Sequence, residues 1–168
     1  ENNRDHTIFY CGEGRNYLED ESGSIIDRVT RVLNGAGWRV SQFSSRETKE
    51  QRKEIMSAFK EQMVDGLVAM KVLDEGVDIP ACKTAFLVAS SRNPRQYVQR
   101  RGRILRKSEN KEYAEIYDFV AMPPIGKEDD SYGRRLIRSE YERVADFTLL
   151  AANKLEVENM IDQYGLDA

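Results

Sequence analysis

Short apolar runs alternate with amphipathic stretches through the first 120 residues of this 168-residue chain. That alternation restricts the fold more than any other feature. Thr7–Cys11, Trp38–Phe43, Gly66–Met70, Ala85–Ala89 and Tyr113–Val120 have the length and apolar content of strands. Between the first three lie stretches of helical period. Ser24–Asn34 carries Ile25, Ile26, Val29, Val32 and Leu33, and Gly35-Ala36-Gly37 stops it. Thr48–Gln62 sets Ile55, Met56, Phe59 and the following Met63 on one face. Strands alternating with helices predict a parallel sheet covered on both faces. Met122-Pro123-Pro124-Ile125-Gly126 breaks the pattern. The expected organisation is an α/β unit over residues 1–125 and a helical extension over 126–168. In that extension Leu136, Ile137, Tyr141, Val144, Phe147, Thr148 and Leu155 keep a roughly helical spacing. It is expected to pack on the sheet or on another lobe of a parent protein.

Parallel sheets bind ligands beyond the carboxyl ends of their strands. The segments that follow the strands are Gly12–Arg15, Ser44–Arg46, Lys71–Asp78 and Ser90–Arg92, all polar, charged or glycine-bearing. Composition adds limits. A hydrophobic content of 40% supports a core, and 33% charged residues suit a soluble, cytoplasmic protein. No apolar run reaches membrane-spanning length and no signal peptide is visible, so no membrane partner is expected. Cys11 and Cys82 sit in apolar surroundings with no neighbouring His or Cys, which predicts reduced core thiols and no metal site. The single histidine, His6, is given no role. The chain opens at Glu1 rather than Met, as a piece of a longer polypeptide would.

Charge is distributed unevenly. No Asp or Glu occurs between Asp78 and Glu109, an interval with eight Lys or Arg, in a chain of net charge −3. A positive block in an acidic chain predicts a local anionic partner. Its centre is Ser91–Arg106, with a helix expected from Asn93 as cap and Pro94 as first helical residue. Helical projection places Tyr97, Val98, Ile104 and Leu105 on one stripe and Gln99, Arg103 and Arg106 opposite. Arginine suits phosphate because its planar fork bonds bidentately and stays charged. Arg101 projects into the apolar stripe, so either its stem packs there or the helix frays.

Gln99-Arg100-x-Gly102-Arg103-x-x-Arg106 resembles motif VI of superfamily-two helicases and translocases. The resemblance implies that Arg103 and Arg106 are arginine fingers for an ATP γ-phosphate. Glu75-Gly76-x-Asp78-x-Pro80 resembles motif V of the same family, which implies that Asp78 contacts the nucleotide ribose, beside Gly76, and that Lys71 lies on the nucleic-acid path. Ile8-Phe9-Tyr10-Cys11 is similar to motif IV, which puts Gly12 at the nucleic-acid side. Ser44 and the Gln51-Arg52 pair resemble the adjoining segment, and Arg92 falls beside the same groove. Gln99 is expected near the γ-phosphate. Leu105 stands where RNA-unwinding DEAD-box proteins usually have Gly, which inclines the resemblance toward DNA-acting relatives such as XPB-like helicases and restriction motor subunits.

No G-x-x-x-x-G-K-[ST] phosphate loop is present. ATP and Mg²⁺ are therefore expected to be held mainly by an N-terminal RecA-like lobe of the same parent, and this chain alone is expected to be inactive. The expected whole is a RecA-like C-terminal lobe of an ATP-dependent helicase or translocase, with DNA favoured over RNA. Two rivals are a non-catalytic nucleic-acid-binding or assembly module that keeps the fold, and a duplex-DNA translocase subunit of a restriction or defence system.

Overall fold

The computed structural model describes residues 4, 6–12, 24–70, 82–88, 98, 101–102, 104–106 and 111–165. Five strands form one sheet: β1 (Thr7–Tyr10), β2 (Val40–Phe43), β3 (Gly66–Ala69), β4 (Thr84–Leu87) and β5 (Glu115–Asp118). Their order is β2-β3-β1-β4-β5, and every ladder is parallel. Helices α1 (Ile25–Gly35), α2 (Lys49–Lys60), α3 (Ser131–Thr148) and α4 (Lys154–Tyr164) complete the described elements. The expected parallel α/β sheet is what forms.

Several strands are shorter than expected. Trp38 and Arg39 stay outside β2 because their N–H groups are already engaged. Trp38 N–H bonds the carbonyl of Leu33 that closes α1, and Arg39 N–H bonds the Asp65 carboxylate at 2.8 Å. Pairing starts only at Val40, opposite Gly66. Gly66 itself is required to be small, since a Cβ there would meet the Thr7 carbonyl oxygen at 2.8 Å.

The register places Phe9, Val68 and Phe86 in one row of side chains, on one face of the sheet. Ile26 of α1 joins Phe9, Cys11 and Val68 in a buried cluster there, with Trp38 edge-on to Phe9 at 5.2 Å. The other face, with Ile8, Tyr10, Leu67, Ala69, Ala85 and Leu87, is equally buried. Crossover handedness explains how both faces are covered. From β1 to β2 the chain steps one way across the sheet, and from β2 to β3 it steps back. Right-handed crossovers of opposite direction put their helices on opposite faces, so α2 lies opposite α1. Its Phe59 is fully buried, edge-on to His6. The β4–β5 connection moves in the same direction as β2–β3, which puts its helical residues on the α2 face.

Above α1's face, Phe86 stacks on Phe9 and on Tyr117. Between these rings and α1 runs an apolar groove of about 570 Å³ lined by Val29, Val32, Trp38, Phe86, Val88 and Phe119. This accounts for Val32, expected as core, being 70% exposed. Met63, also expected on the buried face of α2, is 58% exposed because the helix ends at Lys60 and the chain turns at Glu61–Gln62.

Val120–Ala168 belongs to a second compact unit, which also takes in Arg92–Val98. It has its own core, Ile137 and Ile161 with Val120, Tyr141, Val144 and Val157 against them. The helical spacing expected to run on through Leu155 is split between α3 and α4, and Leu155 is exposed. Asp130 caps α3 by accepting from the N–H groups of Tyr132 and Gly133. Glu140 and Arg143 form a buried ion pair at 2.7 Å, and the same Glu140 oxygen accepts from Ala121 N–H at 2.9 Å. That second bond ties the start of the unit to α3. Among the described residues no helix is long and apolar enough to cross a membrane.

The contrast between two apolar residues of one segment provides a check. Phe59→Ala should cost about 3–5 kcal/mol because it leaves a cavity under α2. Met63→Ala should change stability by less than about 0.5 kcal/mol. Urea unfolding followed by circular dichroism measures both, and similar losses for the two would contradict this arrangement.

Candidate functional site

Because all strands are parallel, their carboxyl ends share one edge. Gly12 follows β1, Ser44 to Glu47 follow β2, and Met70 and Val88 follow β3 and β4. β1 and β2 are separated only by β3, so Gly12 and Ser44 lie about 10 Å apart along that edge. The helices that follow β1 and β2 lie on opposite faces of the sheet, and ligands of parallel sheets collect at strand ends of that kind.

The turn after β2 is built from its own side chains. Ser44 is fully buried, and its N–H and Oγ both donate to Glu47 Oε2, at 2.6 and 2.9 Å. Ser44 Oγ in turn accepts from Arg46 N–H. Thr48 and Gln51 then form a reciprocal cap on α2, and Arg52 Nε donates to the Glu47 carbonyl. The expectation of Ser44 as a nucleic-acid contact meets a different geometry: its hydroxyl points inward and holds the turn. The exposed members of the turn are Ser45 and Arg46.

Arg46 is held from beneath by Asp27 of α1, 3.4 Å from each carboxylate oxygen, while its side chain remains 53% exposed. Asp27 also accepts from Ser24 Oγ at 2.6 Å, Ser24 N–H at 3.0 Å and Gln42 Nε2 at 2.9 Å. The Ser24 hydroxyl first, then the Gln42 amide and the Ser24 N–H, hold the Asp27 carboxyl far below the usual carboxylate range. The carboxylate thus joins α1, β2 and the turn beyond it. Ser24-x-x-Asp27 carries the local spacing of a helix-capping pair, but nothing local marks the Gln42 and Arg46 contacts, which lie 15 and 19 residues from Asp27.

Of the arginine segment, Val98, Arg101, Gly102 and Ile104 have helical backbone, and Leu105 N–H closes on the Arg101 carbonyl at 2.9 Å. Ile104 is the buried residue. Val98 and Leu105, expected on its apolar stripe, are 40% and 38% exposed, and Tyr97 of that stripe lies outside the described residues. Arg101 is partly buried, as a packed stem requires, and Arg106 is exposed. Lys111 donates from Nζ to the carbonyl of Ile104 and, at 3.2 Å, to that of Arg106. Burial lowers the Lys111 pKa from its usual value. Cys82, just ahead of β4, is pushed up to about 12 by burial, and Cys11 to about 11. Both thiols are free and buried. Lys111 and Cys82 precede β5 and β4, so the last turn of the arginine helix lies toward the amino end of the sheet, away from Gly12 and Ser44.

Arg103, Gln99, Gly76, Asp78, Lys71 and Arg92 lie outside the described residues. Among the described residues no group of three or more His, Cys, Asp or Glu stands together in a way that could hold a metal ion.

Residues 1–108 match the family described as "Helicase conserved C-terminal domain". A stretch of 61 residues, 36% of the chain, is 41% identical to the DNA 3'-5' translocase XPB2 of Sulfurisphaera tokodaii and covers 14% of it. A stretch of 118 residues, 70% of the chain, is 27% identical to the ATP-dependent RNA helicase dbp8 of Emericella nidulans and covers 22% of it. The chain thus spans less than a quarter of the length of these relatives. Among solved structures, the C-terminal part of the Fun30 ATPase domain superposes with a TM-score of 0.59 at 13% identity, covering 79% of this chain and 38% of that one.

The Asp27 cluster has a defined acid response. Its folded pKa is depressed, so its contribution to stability is complete above the ordinary carboxylate range and is lost as pH falls below it. Between about pH 5 and pH 2 the urea midpoint of the wild type should fall more steeply than that of Asp27→Asn. Parallel curves would refute the cluster.

Proposed function

The chain belongs to the helicase conserved C-terminal domain family, and on that footing we propose that it is the second RecA-like motor lobe of an ATP-dependent DNA helicase or translocase. The observation that carries the reading is Arg106: it is exposed at the end of a helix pinned by buried Ile104, within the matched region. In this reading an exposed arginine at the end of an anchored helix meets an anion that another lobe presents.

In this reading Arg103 and Arg106 offer guanidiniums to the γ-phosphate and stabilise charge that develops there during transfer. Gln99 orients groups around the same phosphate. Asp78 accepts from ribose hydroxyls beside Gly76, whose lack of a side chain leaves room for close approach. ATP with Mg²⁺, held mainly by the N-terminal lobe, supplies the transferable phosphoryl group. The carboxyl edge serves the nucleic acid. Gly12, Lys71 and Arg92 line its path, and Ser44 acts by fixing the turn that presents Ser45 and Arg46. Arg46 is suited to a phosphate because Asp27 sets its direction without covering it. Gripping the strand at one end of the lobe and the nucleotide elsewhere allows each closure of the two lobes to shift the hold on the strand.

The similarity to a DNA translocase over 61 residues supports DNA as the substrate. The relative named as an RNA helicase keeps RNA as the second reading. The isolated chain should show almost no ATPase activity and weak, salt-sensitive nucleic-acid binding.

The test uses the full-length parent protein. Arg103→Ala and Arg106→Ala should each lower nucleic-acid-stimulated ATP turnover by about 10³-fold. Equilibrium binding to a nucleic-acid strand should stay within about threefold, since neither residue is assigned to that edge. Near-normal turnover in either variant would overturn the finger assignment.

A further inference from the structure

We propose that Lys111 is a positioning residue for the arginine-finger helix: its ammonium fixes the backbone at Ile104 and Arg106 and so sets where the Arg106 guanidinium is presented. The inference rests on the finger reading of Arg106 given above.

The last carbonyls of a helix have no partner within the helix and carry partial negative charge. Here the Lys111 ammonium bonds one of them, on Ile104 at the end of the helix, and also the carbonyl of Arg106 just beyond it. The Ile104 side chain is 1% exposed and anchors the same turn from its other side. Backbone and side chain are thus held independently, within two residues of Arg106, an exposed residue. Among the described titratable groups, Cys82 is the one that couples to Lys111, and it is not a competing anion. Its thiol stays protonated at neutral pH because burial raises its pKa to about 12. The ammonium is therefore directed at the carbonyls. Lys111 is itself partly buried and desolvated, a cost that the two carbonyl bonds offset. A solvated surface lysine would have neither the burial nor the paired acceptors. Since a displacement of about 1 Å can slow an enzyme by about 10²-fold, a loosened last turn should affect turnover before it affects binding.

The test is steady-state ATPase of the full-length parent at saturating nucleic acid, with wild type, Lys111→Met, Lys111→Arg, Arg106→Ala and the Lys111→Met/Arg106→Ala double variant. Lys111→Met should lower kcat by about 10-fold or more. KM for ATP and affinity for the strand should stay within about twofold, since the residue touches neither ligand. Lys111→Arg, which keeps a charged donor, should recover most of the loss. Lys111→Met should add nothing to Arg106→Ala, because both act through one guanidinium. Wild-type kcat in Lys111→Met beside an inactive Arg106→Ala would overturn the positioning role and leave the finger reading intact. Full activity in Arg106→Ala would overturn both. A full additional loss in the double variant, or KM and strand affinity falling together with kcat, would reduce Lys111 to a structural residue. If Lys111→Met does not fold, Lys111→Gln is assayed against the same outcomes.

Discussion

A parallel strand can be joined to another strand of its sheet only by a crossover, and crossovers are right-handed. The rest of this structure depends on that constraint. The single step from β1 out to β2 puts α1 on one face. The return to β3, and the later step from β4 to β5, put α2 and the arginine helix on the other. The same rule gathers every carboxyl end at one edge, and it leaves the sheet beside α1 covered only in part. The stacked Phe9, Phe86 and Tyr117 rings mark where that cover stops.

The separation of tasks follows from this layout. At the carboxyl edge the turn after β2 is stiffened by acids that point inward. Glu47 holds Ser44, and Asp27 holds Gln42 and Arg46, so an exposed arginine is set in place by its own neighbours. Toward the opposite end of the sheet, a buried isoleucine and a desolvated lysine hold the last turn of the arginine helix. In both places an exposed arginine stands beside groups that are buried or bonded. That is the arrangement expected of sites whose ligands arrive from outside the lobe.

Much of the fold was legible in the sequence because its signals are local. Strand-length apolar runs and helical spacing gave the alternation, and alternation implies parallel pairing. What the sequence could not show depends on contacts between distant residues. Val32 keeps the period of α1 yet faces an open groove, because coverage depends on which strands lie beneath the helix. Met63 keeps the period of α2, but the chain turns first. Val98 and Leu105 project onto the stripe of Ile104, whereas among the described residues of that stripe Ile104 alone reaches the core. Ser44 was visible as a polar residue after a strand, but the inward direction of its hydroxyl is set by Glu47. Asp27 carried only the spacing of a helix cap with Ser24, and Lys111 carried no motif. One is joined to its partners by a crossover, and the other caps a helix to which it does not belong.

In the proposed motor the arginine helix presents its guanidiniums to a nucleotide carried by a partner lobe. The most direct measurement is a structure of the full-length parent with a nucleic-acid strand and an ADP–beryllium fluoride complex. The Arg103 and Arg106 guanidiniums should lie within hydrogen-bonding distance of the fluoride, with the strand against the edge that carries Gly12 and Arg46. Guanidiniums turned toward solvent or toward the strand, with the nucleotide enclosed by the first lobe alone, would contradict this arrangement.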